Sequence, residues 1–184
     1  RRQDPMRKDL KQPVPDTQSH TVESVLAIAK HPIHPMLVTF PIAFLSMVVV
    51  TDVLHLWLGA PFWAELSFWL NVGGLGFGVL AGIVGTMDMM SIRVVRRHVS
   101  AWNHFIVAVM VLAMAALGVW LRVPDPVAAV WPWGLLSSAV MAVLVGVAGW
   151  LGGTLSFRHG VGVYGDEETE ALSGRDAVEK PPAE

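Results

Sequence analysis

Between His31 and Phe157 the chain carries only eight of its 28 Asp, Glu, Lys and Arg side chains: Asp52, Glu65, Asp88, Arg93, Arg96, Arg97, Arg122 and Asp125. Read in windows of about 19 residues, this stretch breaks into four apolar segments near 36–58, 66–89, 103–122 and 132–155. Each is long enough to cross a hydrocarbon layer of about 30 Å as a helix. Lipid offers no partners for backbone N–H and C=O groups, so segments of this kind must satisfy them internally. The expected fold is all-α, an integral membrane four-helix bundle.

Turn chemistry marks the breaks. Leu58-Gly59-Ala60-Pro61 ends the first span, and Val123-Pro124-Asp125-Pro126 separates the third from the fourth. The loop between spans two and three holds Arg93, Arg96 and Arg97, and residues 1–30 are also rich in Lys and Arg. The positive-inside rule therefore sets both the N-terminus and the C-terminus in the cytoplasm. Trp57, Trp63, Trp69, Trp120, Trp131 and Trp133 all fall near the opposite set of helix ends, as an interfacial aromatic belt does. Three regions result: a polar tail over 1–30 with an interfacial helix expected at 20–30, the four-span domain over 31–163, and an acidic, disordered tail over 164–184.

The chain contains no cysteine. Disulfides, iron–sulfur clusters, thiolate zinc sites and covalently attached haem are thereby excluded, and any cofactor must be held by imidazole, carboxylate or backbone. The short loops of a four-span bundle bring His31, His34, Asp88, His98, His104 and His159 to one face of the membrane, from four different helices. Ionisable groups at membrane depth are costly and mark functional sites when they gather; singly, they can simply bond water, headgroups or backbone. Span two adds Gly74, Gly78 and Gly82 at four-residue intervals, a stripe that suits either close helix packing or a flat macrocycle lying against it.

Two sites fit these residues. In the first, His34 and His104 form the axial pair of a b-type haem. Gly78 and Gly82 make room for the ring, and Arg96 or Arg97, with Arg93 or Arg158, neutralise its propionates. In the second, His34, His104, His159 and Asp88 bind zinc or ferrous iron. On the other face Asp52 and His55 lie three residues apart on one helix, either as a local hydrogen bond or as a proton-exchanging, quinol-binding pair. A hydrolase is disfavoured because Ser46, Ser137 and Ser138 have no evident neighbouring base. Transport is disfavoured because the spans show neither paired charges nor an inverted repeat.

Four stretches carry a family resemblance: His31-Pro-Ile-His-Pro-Met-Leu-Val-Thr-Phe-Pro41, Gly85-Thr-Met-Asp88, His104, and Gly152-Gly-Thr-Leu-Ser-Phe-Arg-His-Gly-Val-Gly-Val163. With them the chain resembles the four-span membrane proteins called domain of unknown function 2231. The resemblance implies an integral membrane domain of bacteria, sometimes joined to or encoded near redox proteins. Where that family's closing motif often has tyrosine, this chain has Phe157. The expected function is a haem-bearing subunit passing electrons between a quinone pool and a redox partner; the alternative is an accessory subunit packed in a larger membrane complex.

Overall fold

The computed structural model describes residues 27–28, 31–97 and 99–159. The described chain opens with a minimal antiparallel pair, β1 (Ala27–Ile28) against β2 (His31–Pro32). It then forms α1 (Ile33–Leu58), α2 (Pro61–Ser91), a short α3 (Arg93–Arg97), α4 (Val99–Arg122), a one-turn α5 (Pro126–Ala129) and α6 (Leu135–His159). Of the expected helix at 20–30, only Ala27 and Ile28 are among the described residues, and they are extended. The acidic tail lies outside them.

Four helical stretches, Ile33–Leu58, Pro61–Ser91, Val99–Arg122 and Pro126–Phe157, are long and apolar enough to cross a membrane. All but the first start four to six residues earlier than hydropathy alone marks them, because local chemistry extends them. Pro61 and Pro126 occupy first-turn positions where the missing N–H costs nothing. The Asp125 carboxylate caps α5 by accepting from Val127 N at 2.9 Å and Ala128 N at 3.0 Å. Gly59 ends α1 with φ +68°, a conformation that only glycine adopts freely, and its N–H donates to His55 O at 2.8 Å. Pro41 lies inside α1, which runs as one helix through it.

The fourth span is the irregular one. Between α5 and α6 a π-type turn over Val130–Gly134 contains a non-helical residue, Trp131 (φ −111°, ψ 133°), and a cis Trp131–Pro132 peptide. Backbone carbonyls freed at membrane depth need partners. Gly134 O finds two, accepting from Ser137 Oγ at 2.8 Å and Arg122 Nη2 at 3.2 Å.

α1 pairs with α2 and α4 with α6, two hairpins that meet along α2/α4 and α1/α6. The central core is Leu45, Val48, Val111, Ala115, Met141 and Val145; a smaller one at the histidine end joins Met89, Val95, Ala101 and Leu155. The lipid-facing surface is apolar, and the expected tryptophan belt is largely exposed on it, with Trp57, Trp69, Trp120, Trp131 and Trp133 all open. The interior instead buries Asp52, Ser67, Asn71, Arg122, Ser137 and Ser138. Lipid inverts the solvent preference that a water-soluble bundle would show, so association rests on small residues and polar contacts.

Candidate functional site

His34 and His104 stand on different hairpins and are held in the same way. His34 Nδ1 donates to Ala81 O of α2 at 2.9 Å, and His104 Nδ1 donates to Ala148 O of α6 at 3.0 Å. A carbonyl can only accept, so Nδ1 carries the proton in both rings, and the Nε2 lone pair is the one left for a ligand. Glycine makes the approach possible. A Cβ on Gly85 would meet the His34 ring at 2.7 Å, and one on Gly152 would meet the His104 ring at 3.1 Å.

Both imidazoles line one cavity of about 920 Å³ walled by all four long helices. Its walls are mainly aliphatic, with Gly78, Gly82, Gly149, Gly152 and Asp88 among them. Volumes of this order are those of small-molecule and cofactor pockets, about 300–1,000 Å³. His34 is already helical, in the first turn of α1, rather than on the extended lead-in that its neighbouring prolines suggest; Ile33 opens the helix and Pro35 fits its first turn.

The glycine stripe is used chiefly for packing. A Cβ at Gly74 would run into Leu45, and one at Gly78 would lie 2.7 Å from Leu112; Gly82 has Leu112 at 3.5 Å. Gly149 alone among these cavity glycines has no heavy atom within 4 Å of where its Cβ would stand. The expected anion-neutralising arginines stand apart: Arg96 and Arg97 are exposed and are not among the cavity's lining residues, and Arg96 Nη1 donates to Met90 O at 3.4 Å. Among the described residues, no three His, Asp or Glu side chains gather in a way that could hold a metal ion, although Asp88 shares the cavity with both histidines. His98 and the side chains of His31, Arg93, Arg158 and His159 lie outside the described residues.

At the other end of the bundle the structure corrects the sequence reading. Asp52 does not bond His55, whose Nδ1 donates to Ala60 O at 3.0 Å. Instead Asp52 pairs with Arg122 Nη2 at 2.5 Å, both side chains fully buried. Its carboxylate also accepts from Ser67 Oγ at 2.5 Å and Ser138 Oγ at 2.7 Å, so all four spans contribute one residue each. Arg122 Nη1 completes the set by donating to Gly118 O at 3.1 Å. The spans thus do contain a paired charge, and Ser138 does have a neighbouring base. Asn71 packs its amide against Gly118, bonding Ala115 O at 3.3 Å and Val119 N at 3.2 Å once its amide is turned to suit both.

Sequence reasoning missed this cluster because its members are brought together by helix packing at no fixed spacing. A signal existed: a lone Asp inside an apolar span and a lone Arg at the end of another, each needing a partner. Eighteen residues separate His34 from Asp52 and His104 from Arg122, which is about 27 Å of helix at 1.5 Å per residue. The two polar sites therefore occupy opposite ends of the bundle, with Leu45, Val48, Ala115 and Met141 between them.

Comparison with curated proteins and with solved structures returns no match. The family described as predicted membrane protein (DUF2231) matches residues 30–165. That span covers the described fold from β2 through α6 together with both polar sites, and the chain belongs to this family of membrane proteins.

Proposed function

We propose that the protein is a membrane-embedded electron carrier that binds b-type haem through Nε2 of His34 and Nε2 of His104. The observation that carries this reading is the matched pair of Nδ1–H···O=C bonds, 2.9 and 3.0 Å, inside one largely apolar cavity. Histidines that ligate metals almost always donate their other ring nitrogen to a carbonyl or carboxylate, which fixes the ring and raises its basicity. When bound, haem supplies a one-electron couple; the protein's part is to hold two imidazoles, exclude water and set the polarity around them.

The aliphatic walls, contributed by Val38, Leu45, Val79, Ile83, Val109 and Leu112, suit a macrocycle better than a hydrated ion. A zinc or ferrous site would need His159 or Asp88 beside the two histidines, and the haem reading needs neither. The setting is the bacterial inner membrane, with a quinone pool or redox subunit as electron partner. Arg96 and Arg97 sit beyond the cavity walls, so they act on propionates only where those groups reach the surface.

The test is an absorbance spectrum of the full chain purified with haem retained and reduced with dithionite. Soret and α bands are expected in the wild type and strongly weakened in H34A and H104A. A wild type that shows no haem bands, even after haemin is supplied, overturns the proposal. One observation favours the accessory-subunit alternative: Gly146 is exposed on α6 with no heavy atom within 4 Å of where a Cβ would stand, beside a Trp150 that is 78% exposed. Such bare backbone in lipid suits another helix. Under that reading G146L changes the size of the complex extracted in mild detergent and leaves the spectrum alone.

A further inference from the structure

Buried residues recur at matching intervals in the two hairpins. Counting from His34 along α1, the buried residues Pro41, Leu45, Val48 and Asp52 stand at the same intervals as Val111, Ala115, Gly118 and Arg122 do from His104 along α4. Counting from the two acceptor carbonyls, Ser67, Asn71, Gly74 and Gly78 precede Ala81 at the intervals by which Gly134, Ser138, Met141 and Val145 precede Ala148. All eight are buried. The glycine that seats each imidazole, Gly85 or Gly152, lies four residues after its acceptor in both. The interfaces that join the hairpins, α2 with α4 and α1 with α6, are also of similar extent.

These correspondences define a two-fold repeat whose axis runs along the membrane normal, because both hairpins begin at the same end. The sequence hides it: equivalent positions hold Asp52 and Arg122, Val48 and Gly118, Ser67 and Gly134. Across the axis the unlike charges attract where like ones would repel. At the other end the equivalent residues are identical, His34 and His104.

We infer that the cavity takes a ligand with two like faces, one met by each hairpin, so that His34 and His104 would hold a bound haem as equivalent partners. This inference rests on the haem reading and sharpens it. With both imidazoles locked in place, a bound haem would supply one-electron transfer, and neither ring would readily give way to a gaseous ligand. The two Nδ1–H locks keep both rings from rotating away, and Gly85 and Gly152 let each sit flush against the facing helix.

The experiment uses the full-length, haem-loaded, dithionite-reduced protein exposed to carbon monoxide. The expected result is an unchanged Soret band in the wild type, with CO-binding spectra of similar amplitude in H34A and H104A. Added imidazole should restore the wild-type spectrum in both variants equally, which separates a lost ligand from a lost fold. A wild type that binds CO overturns the inference, as does a spectrum that depends on one histidine only; haem bands seen in either case keep haem in the cavity and remove one of its two proposed ligands. A wild type without haem bands overturns the haem reading itself. Should either alanine variant fail to assemble, H34M and H104M serve in its place, with band shifts of similar size expected from the pair and unequal shifts counting against the inference.

Discussion

Replacing Asp52 by Ala removes the only carboxylate facing Arg122 in the described interior and leaves a guanidinium fully buried. Arg122 keeps two carbonyl acceptors, Gly118 O at 3.1 Å and Gly134 O at 3.2 Å, but loses its counter-charge. Ser67 and Ser138 lose their shared acceptor in the same step. Breaking a buried pair from one side costs about 3–5 kcal/mol, and a guanidinium cannot escape by giving up its proton. R122M is expected to be milder, because the carboxylate keeps both hydroxyl donors. The double variant D52A/R122M leaves no buried charge and should recover most of the loss, with a coupling energy of roughly 2–3 kcal/mol between the two sites. SDS titration of the detergent-solubilised chain, followed by tryptophan fluorescence, reads these differences. Additive effects of the two substitutions would refute the reasoning, because they would mean that the pair contributes nothing as a pair.

Other substitutions probe the close contacts. G85A places a Cβ 2.7 Å from the His34 ring, and G152A places one 3.1 Å from the His104 ring; haem retention should fall in both and further in G85A, measured as the Soret-to-protein absorbance ratio. G118A drives a methyl into the Asn71 amide and is expected to destabilise by about 1–3 kcal/mol, read by the same SDS titration. The two-fold correspondence makes a sharper prediction for charge exchange: D52R/R122D should remain unstable until V48G, at the position equivalent to Gly118, makes room for the longer side chain. A V50G control on the exposed face should give no such recovery.

Spans, breaks and the shared end of His34, His104 and Asp88 were legible in the sequence because each rests on local or one-dimensional information: apolar run length, glycine and proline punctuation, and the parity of short loops. His34 and His104 could be named as a pair for that reason. Their acceptors could not, since Ala81 O and Ala148 O are backbone atoms that any residue would offer. The Asp52–Arg122 cluster escaped because Asp52 has a nearer partner in sequence, His55, three residues along the same helix. Geometry overrides that proximity: His55 is drawn to the Ala60 carbonyl exposed by the turn at Gly59. The two-fold repeat was illegible because its equivalent positions carry opposite charges and different side-chain volumes, so likeness survives in burial and spacing and not in residue identity.

The aliphatic layer of Leu45, Val48, Ala115 and Met141, between the imidazole cavity and the ion pair, also has an electrical consequence. Carrying one elementary charge through the whole membrane potential is worth about 2.3 kcal/mol per 100 mV. A charge that stops at the imidazole rings crosses less of that drop than one that reaches the ion pair, because the aliphatic layer lies beyond the rings. Charge carried only as far as the rings would therefore respond less to voltage than charge carried to Asp52 and Arg122.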